Sequence, residues 1–140
     1  MEIREATAAD YDELSRLLTQ LHSEEPGAFH PDQVRQGHRA FVAVADGEIV
    51  GFLLGAFIDY GLRSEGGGTI EQLVVDARHR GRGVGEGLVG EWKQWLQGEG
   101  LHVGFVSTTE ELGAKGFYER CGFRPCEGPW LVWSAVRPPR

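Results

Sequence analysis

The sequence predicts an α+β fold, a mixed and mostly antiparallel sheet with helices on both faces, and three observations carry that prediction. Two apolar, β-rich runs, 40–45 and 48–58, are separated only by Asp46-Gly47, the two-residue turn of an antiparallel hairpin. A strand at 70–75 then leads into a glycine-arginine segment and a long stretch with helical periodicity. A further strand, helix and strand follow. Hairpins before the loop and a strand-helix-strand unit after it combine antiparallel with parallel pairing, which places helices over the sheet faces. The 140 residues, 41% hydrophobic and 25% charged, suit one domain spanning 1–140.

In chain order, Ile3 opens a short edge strand, and Thr7-Ala8-Ala9-Asp10 has the capping pattern of a helix start. Tyr11, Leu14, Leu17, Leu18 and Leu21 recur at helical spacing and make one apolar stripe that ends before Pro26. Residues 24–39 read as a loop or short helix bordering a cleft. The tract 59–68, ending in Gly66-Gly67-Gly68, is too polar and glycine-rich for regular structure, so the next strand begins at Ile70. Val84, Leu88, Val89, Trp92, Trp95 and Leu96 fall on one side of a helix that reaches about Gln97, where Gly98 and Gly100 stop it. Residues 101–106 form a strand, 110–120 a helix stopped by Gly122, and 130–136 the last strand.

Composition narrows the function. A net charge of −7, from 14 Lys+Arg against 21 Asp+Glu, argues against nucleic acid held on a broad basic face. The N-terminus lacks the apolar segment of a signal peptide, and no apolar run approaches the ~20 residues of a membrane span, so a cytoplasmic protein is expected. Cys121 and Cys126 have no second pair to complete a four-ligand zinc site, and no metal is expected. His22, His30, His38, His79 and His102 show no ligand spacing and read as surface or loop residues. Trp130 and Trp133 in the final strand pack the core or line an acceptor cleft.

One acidic chain nevertheless concentrates Arg78, Arg80 and Arg82 within five residues. They lie where a strand ends and a helix begins, so the first N–H groups of that helix are free to meet an anion. Glycines at 81, 83 and 85 admit backbone conformations closed to other residues and let a phosphate approach without meeting a Cβ. A pyrophosphate is the ligand this pattern implies. A P-loop would need Gly-Lys followed by Ser or Thr, which is missing. Gly85-Glu86-Gly87-Leu88-Val89-Gly90 matches the dinucleotide string letter for letter. It starts ten residues after Val75, inside the predicted helix, and the hairpins before it cannot build a parallel half-sheet. The plain alternative is a glycine-rich turn with solvated arginines.

Arg80-Gly81-Arg82-Gly83-Val84-Gly85 resembles the pyrophosphate loop of the GNAT superfamily of N-acetyltransferases: Gln or Arg, two residues, Gly, one residue, then Gly or Ala. Ile70-Glu71-Gln72-Leu73-Val74-Val75 resembles the central strand of that family, and residues 116–123 resemble its closing helix and turn. Residues 7–21 resemble its first helix. The resemblance implies a GNAT-like acyl-CoA N-acyltransferase fold with acetyl coenzyme A as co-substrate. It also implies a central strand splayed at a bulge, with backbone groups of Leu73 and Val75 left to pair with the pantetheine arm as another strand would. The loop from Arg80 to Gly85 would take the pyrophosphate, and Ala114 would stand beside the cofactor. Many relatives carry Asn three residues before that alanine, where this chain has Glu111. A homodimer is common in the family.

Amide formation needs a neutral amine, a stabilised oxyanion and a proton for the departing thiolate. An alkylamine is protonated at neutral pH, and Glu71, the one carboxylate in an apolar strand, is the candidate base. Its plain alternative is a solvent-facing glutamate on a half-exposed strand. Tyr118 is the candidate acid, with core packing among Phe117 and Phe123 as the alternative, and a backbone N–H near Val74 would serve the oxyanion. The expected reaction is direct attack by a small-molecule or peptide amine in a ternary complex. The competing reading is a non-catalytic acyl-coenzyme A sensor module of the same fold.

Overall fold

Asp46 and Gly47 both adopt positive φ, 51° and 79°, the mirror-image turn geometry that matches the twist of two paired strands. They join β2 (His38–Ala45) to β3 (Glu48–Ile58) with Ala45 opposite Glu48. The computed structural model describes residues 1–20, 38–58, 67–106 and 114–125. Before the hairpin come β1 (Glu2–Glu5), a 3-10 turn (Ala8–Asp10) and α1 (Tyr11–Leu18); after it come β4 (Gly67–Val75), α2 (Val84–Gly98), β5 (Gly104–Val106) and α3 (Lys115–Arg120). The strands lie in the order β1-β2-β3-β4-β5. The first three pairings are antiparallel, and β4 and β5, joined through α2, run parallel.

The sheet separates two cores. On one face α1 buries Leu14, Leu17 and Leu18 against Ala40, Val42, Phe52, Leu54 and Val74. Asp10 fixes the start of that helix: its carboxylate accepts the Thr7 N–H at 2.8 Å and both terminal nitrogens of Arg4 at 2.9 Å. The Arg4 guanidinium holds the Asp10 carboxyl down at about 2, against the opposing effect of burial. On the other face α2 buries Val84, Leu88, Val89, Trp92 and Leu96 against Phe41, Ala43, Leu53 and Ile70, and Tyr118 of α3 joins this cluster. α2 ends as the glycine pattern predicts. Gly100 takes φ 78°, its N–H bonds to the Gln97 carbonyl, and Leu101 N–H reaches back to Leu96. Gly122 closes α3 in the same way, with Phe123 N–H on the Tyr118 carbonyl.

Several boundaries differ from the sequence expectation, and one is that the helix expected over 110–120 begins, among the described residues, at Lys115, with Ala114 as its N-cap. Gly67 and Gly68 are not irregular but open β4, where Gly68 sits against Leu96 with no room for a Cβ. Gly55 and Gly104 do the same for Trp92, whose indole lies flat on β3 and β5; a Cβ at Gly55 would fall 2.6 Å from Trp92 Cδ1. The strand expected over 101–106 is β5 alone, because Leu101 N–H is spent in closing α2. β2 begins at His38, two residues earlier than the apolar run. Leu21, residues 24–37, Glu111, Cys126 and the strand expected over 130–136 with Trp130 and Trp133 lie outside the described residues.

Candidate active site

β4 pairs with β3 along its whole length but with β5 only from Gly68 to Ile70 among the described residues. Glu71 is the extra residue of a bulge: Leu54 faces Gln72 and Gly55 faces Ile70, so Glu71 has no partner on β3. Beyond the bulge the ladder alternates, and Asp76 N–H donates to Val50 O at 2.8 Å. That bond places Val74 opposite Phe52 in a hydrogen-bonded pair, while the N–H and C=O groups of Leu73 and Val75 turn away from β3. Leu73 and Val75 therefore present backbone groups on the side where the described pairing to β5 has ended. The Val74 N–H does not; it is turned toward β3. Arg80 Nε donates to the Val75 carbonyl at 3.2 Å, so the first arginine of the loop is tied to the end of the strand.

The segment linking β4 to α2 is organised by Asp76, a buried carboxylate that sequence reasoning missed. It accepts the Arg78 N–H at 3.1 Å and Arg78 Nη2 at 3.0 Å, which folds the turn Ala77–His79. The two bonds from Arg78 hold the Asp76 carboxyl down at about 2. Gln20, just past α1, accepts the Ala77 N–H at 3.0 Å. An acidic residue at the end of an apolar strand, two before an arginine, is the signal that could have found it. Arg78 is thereby committed to Asp76, while Arg80 and Arg82 remain exposed at the loop.

Gly81 and Gly83 take φ of 75° and 84° with open space around both, so they are needed for backbone conformation. Gly85 differs. It lies in the first turn of α2, and a Cβ there would fall 2.9 Å from Phe117 Cζ, so this glycine lets α3 approach α2. The first helical bond of α2 runs from Gly87 N–H to Gly83 O, leaving the Val84, Gly85 and Glu86 N–H groups without intrahelical partners. The Leu73–Val75 edge thus runs through Arg80, which is tied to its end, to the unpaired N–H groups that open α2.

The two candidate catalytic side chains lie on opposite faces of the sheet. Glu71 is half-exposed and its Oε2 stands 3.8 Å from His38 Nε2, on the face that carries Ala40 and Val42. His38 is thus not a loop residue; it is the first residue of β2 and is partly buried. Tyr118 is buried on the α2 face, edge-on to Phe117 and Phe123 at 5.0 and 5.5 Å. Burial pushes its phenol up to about 12, with the Cys121 thiol contributing. Ala114 precedes α3 and its carbonyl accepts the Tyr118 N–H at 3.1 Å, which sets where the tyrosine stands. Among the described residues no group of three or more His, Cys, Asp or Glu side chains is placed to hold a metal ion. No helix among them is long and apolar enough to cross a membrane.

Because Asp76 shapes the loop through its charge, Asp76→Asn is expected to weaken pyrophosphate binding at the loop about tenfold at neutral pH, the scale of losing a supporting contact. The carboxyl is lower in the folded chain than its ordinary 3.8, so its contribution is present above that value and is lost as pH falls toward 2. Calorimetric titration from pH 4 to 8 should find the wild-type loop intact throughout; a wild-type affinity that collapses between pH 8 and 5 would assign the loop to another group.

A model of the Acetyltransferase (GNAT) family matches residues 3–123. A curated relative, glucosamine 6-phosphate N-acetyltransferase 1 of Oryza sativa subsp. japonica, is 43% identical over 56 residues. That match takes in 40% of this chain and spans only about a third, 33%, of the relative. A solved acetyltransferase of Trypanosoma brucei superposes with a TM-score of 0.77 at 25% identity, covering 95% of this chain and 99% of the other. An aminoglycoside 6'-N-acetyltransferase of Acinetobacter haemolyticus shares the fold, with a TM-score of 0.81, 16% identity and coverage of 98% and 100%.

Proposed function

The chain belongs to the GNAT acetyltransferase family, and from that premise we propose that it moves the acetyl group of acetyl coenzyme A to a primary amine by direct attack in a ternary complex. The observation that carries the proposal is the continuity of the Leu73–Val75 backbone edge with the α2 N-terminus and its two positive-φ glycines. When bound, acetyl coenzyme A supplies the activated acyl group as a thioester. Leu73 and Val75 hold the amide arm by backbone hydrogen bonds, and the Val84, Gly85 and Glu86 N–H groups with Arg80 and Arg82 hold the pyrophosphate. Val84 also anchors the loop to the core through its buried side chain.

Glu71 accepts a proton from the incoming ammonium, directly or through water. The N–H groups of Leu73 or Val75 would serve a developing oxyanion, since that of Val74 faces β3. Tyr118, neutral at physiological pH and on the opposite face of the sheet from Glu71, would give its phenolic proton to the sulfur as the C–S bond breaks, and the second proton leaving the new amide nitrogen would restore the phenol through solvent. A phenol raised to about 12 is a weak acid for this task. Tyr118→Phe is therefore expected to lower kcat by about 10-fold to 100-fold, the low end for general acid catalysis, with the fold intact. An unchanged kcat would leave Tyr118 as a packing residue.

The acceptor is a small cationic amine, a choice supported by the net charge of −7; the rice relative's named substrate supports the small amine but not the positive charge, since it also carries a phosphate. The test is free-thiol release from acetyl coenzyme A across a panel of amino sugars, polyamines, lysine peptides and peptide N-termini. Turnover strongest on a small cationic amine supports the proposal. Coenzyme A binding with no thiol release on any acceptor favours an acyl-coenzyme A sensor module.

A further inference from the structure

Glu71 reaches the candidate site as a bulge residue, outside the strand alternation that fixes its neighbours. Its side chain is 47% exposed and has three torsions to lose, so burial alone does not orient it. Among the described residues one group faces that carboxylate. His38 Nε2 lies 3.8 Å from Glu71 Oε2, contributed by β2, two strands away. The register explains the meeting. His38 pairs with Ala56, and Ala56 pairs with Thr69. The extra residue at the bulge then returns Glu71 to the face shared by His38, and Ala56 between them carries only a methyl group.

Among the described residues the imidazole makes no competing hydrogen bond. His38 Nδ1 is buried and has no hydrogen-bond partner among the described residues, and the ring's one charged neighbour there is Glu71. With 29% of its side chain exposed, the ring is better anchored than the carboxylate it faces. A partly buried, strand-borne group beside a half-exposed one at a bulge is the arrangement by which a second residue fixes the orientation of a first.

We infer that His38 is the positioning residue for Glu71, holding its carboxylate in the orientation from which it receives the proton of the acceptor amine. This rests on the reading of Glu71 as the base. His38 touches neither the coenzyme loop nor the reacting atoms; it acts through Glu71 alone.

The inference is tested with four full-length proteins, wild type, His38→Ala, Glu71→Gln and the double variant, using acetyl coenzyme A and the best amine of the panel. His38→Ala should lower kcat about tenfold while leaving KM for acetyl coenzyme A unchanged, and it should add nothing in the Glu71→Gln background. His38→Gln, which keeps a hydrogen-bond donor, should recover part of the loss and serves as the variant of record if the alanine protein fails to fold. In the absence of substrate, Glu71→Gln should shift the ring resonances of His38 in the NMR spectrum. A loss from His38→Ala that is equally large in both backgrounds, no loss at all, or unmoved ring resonances overturns the inference while leaving the base in place. A fully active Glu71→Gln protein removes the base reading and this inference with it, and is recognised by that result alone.

Discussion

Replacing Trp92 by alanine is expected to destabilise the fold by about 3 to 5 kcal/mol, the range for removing a buried aromatic and leaving a cavity. The effect should be large because three elements were shaped for this side chain. Gly55 of β3 and Gly104 of β5 have no room for a Cβ against its ring. The indole N–H donates to the Thr69 carbonyl of β4 at 3.2 Å, and Phe123 stacks on the ring at 5.9 Å. Alanine would leave those glycines facing a void and the Thr69 carbonyl without its partner. Against a total stability of about 5 to 15 kcal/mol, such a loss removes a large share of the margin that keeps the chain folded. Denaturant titration measures it, and Trp92→Phe should retain most of the packing while losing the hydrogen bond. A loss below about 1 kcal/mol for the alanine protein would mean that the glycine seam closes over the cavity.

Glu71→Gln is expected to lower kcat about 100-fold or more with coenzyme A affinity unchanged, the magnitude of removing a general base. The substitution preserves shape and removes only proton acceptance. Glu71 is half-exposed and lies outside both core clusters, so stability should move by no more than about 0.5 kcal/mol. The diagnostic is therefore a loss of kcat in a protein that melts and binds cofactor as the wild type does. If turnover with a small amine survives at the wild-type rate, deprotonation proceeds through solvent or another group.

The hairpin at Asp46-Gly47, the α1 and α2 stripes and the loop from Arg80 to Gly85 were legible in the sequence because each depends on local spacing or on local turn chemistry. What was not legible depends on contacts distant along the chain. Gly67 and Gly68 resemble a turn until Leu96 is seen lying across them. Gly85 belongs by spacing to a phosphate loop, yet the group it makes way for is Phe117, thirty-two positions later. His38 carried no motif and became visible only once a bulge in β4 brought Glu71 toward it across β3. Asp76 entered no motif of the sequence: its place two before Arg78 is a turn signal, while its burial and the side-chain bond from Arg78 are seen only in the fold. The resemblance of residues 70–75 to the central strand of the family implied unpaired backbone groups at Leu73 and Val75. The ladder alternation turns those groups away from β3, while also turning the Val74 N–H toward β3.

Everything proposed for this chain depends on a coenzyme lying along the edge of β4 with its pyrophosphate at the start of α2. Calorimetric titration of coenzyme A into the wild-type protein and into the Arg80→Ala, Arg82→Ala double variant tests that most directly. Wild-type protein should bind one coenzyme A per chain, with affinity about tenfold or more lower in the variant at low salt and the difference shrinking as salt screens the arginines. Wild-type protein that takes up no coenzyme A, or a double variant that binds it equally well at low salt, would rule out a coenzyme held in this way.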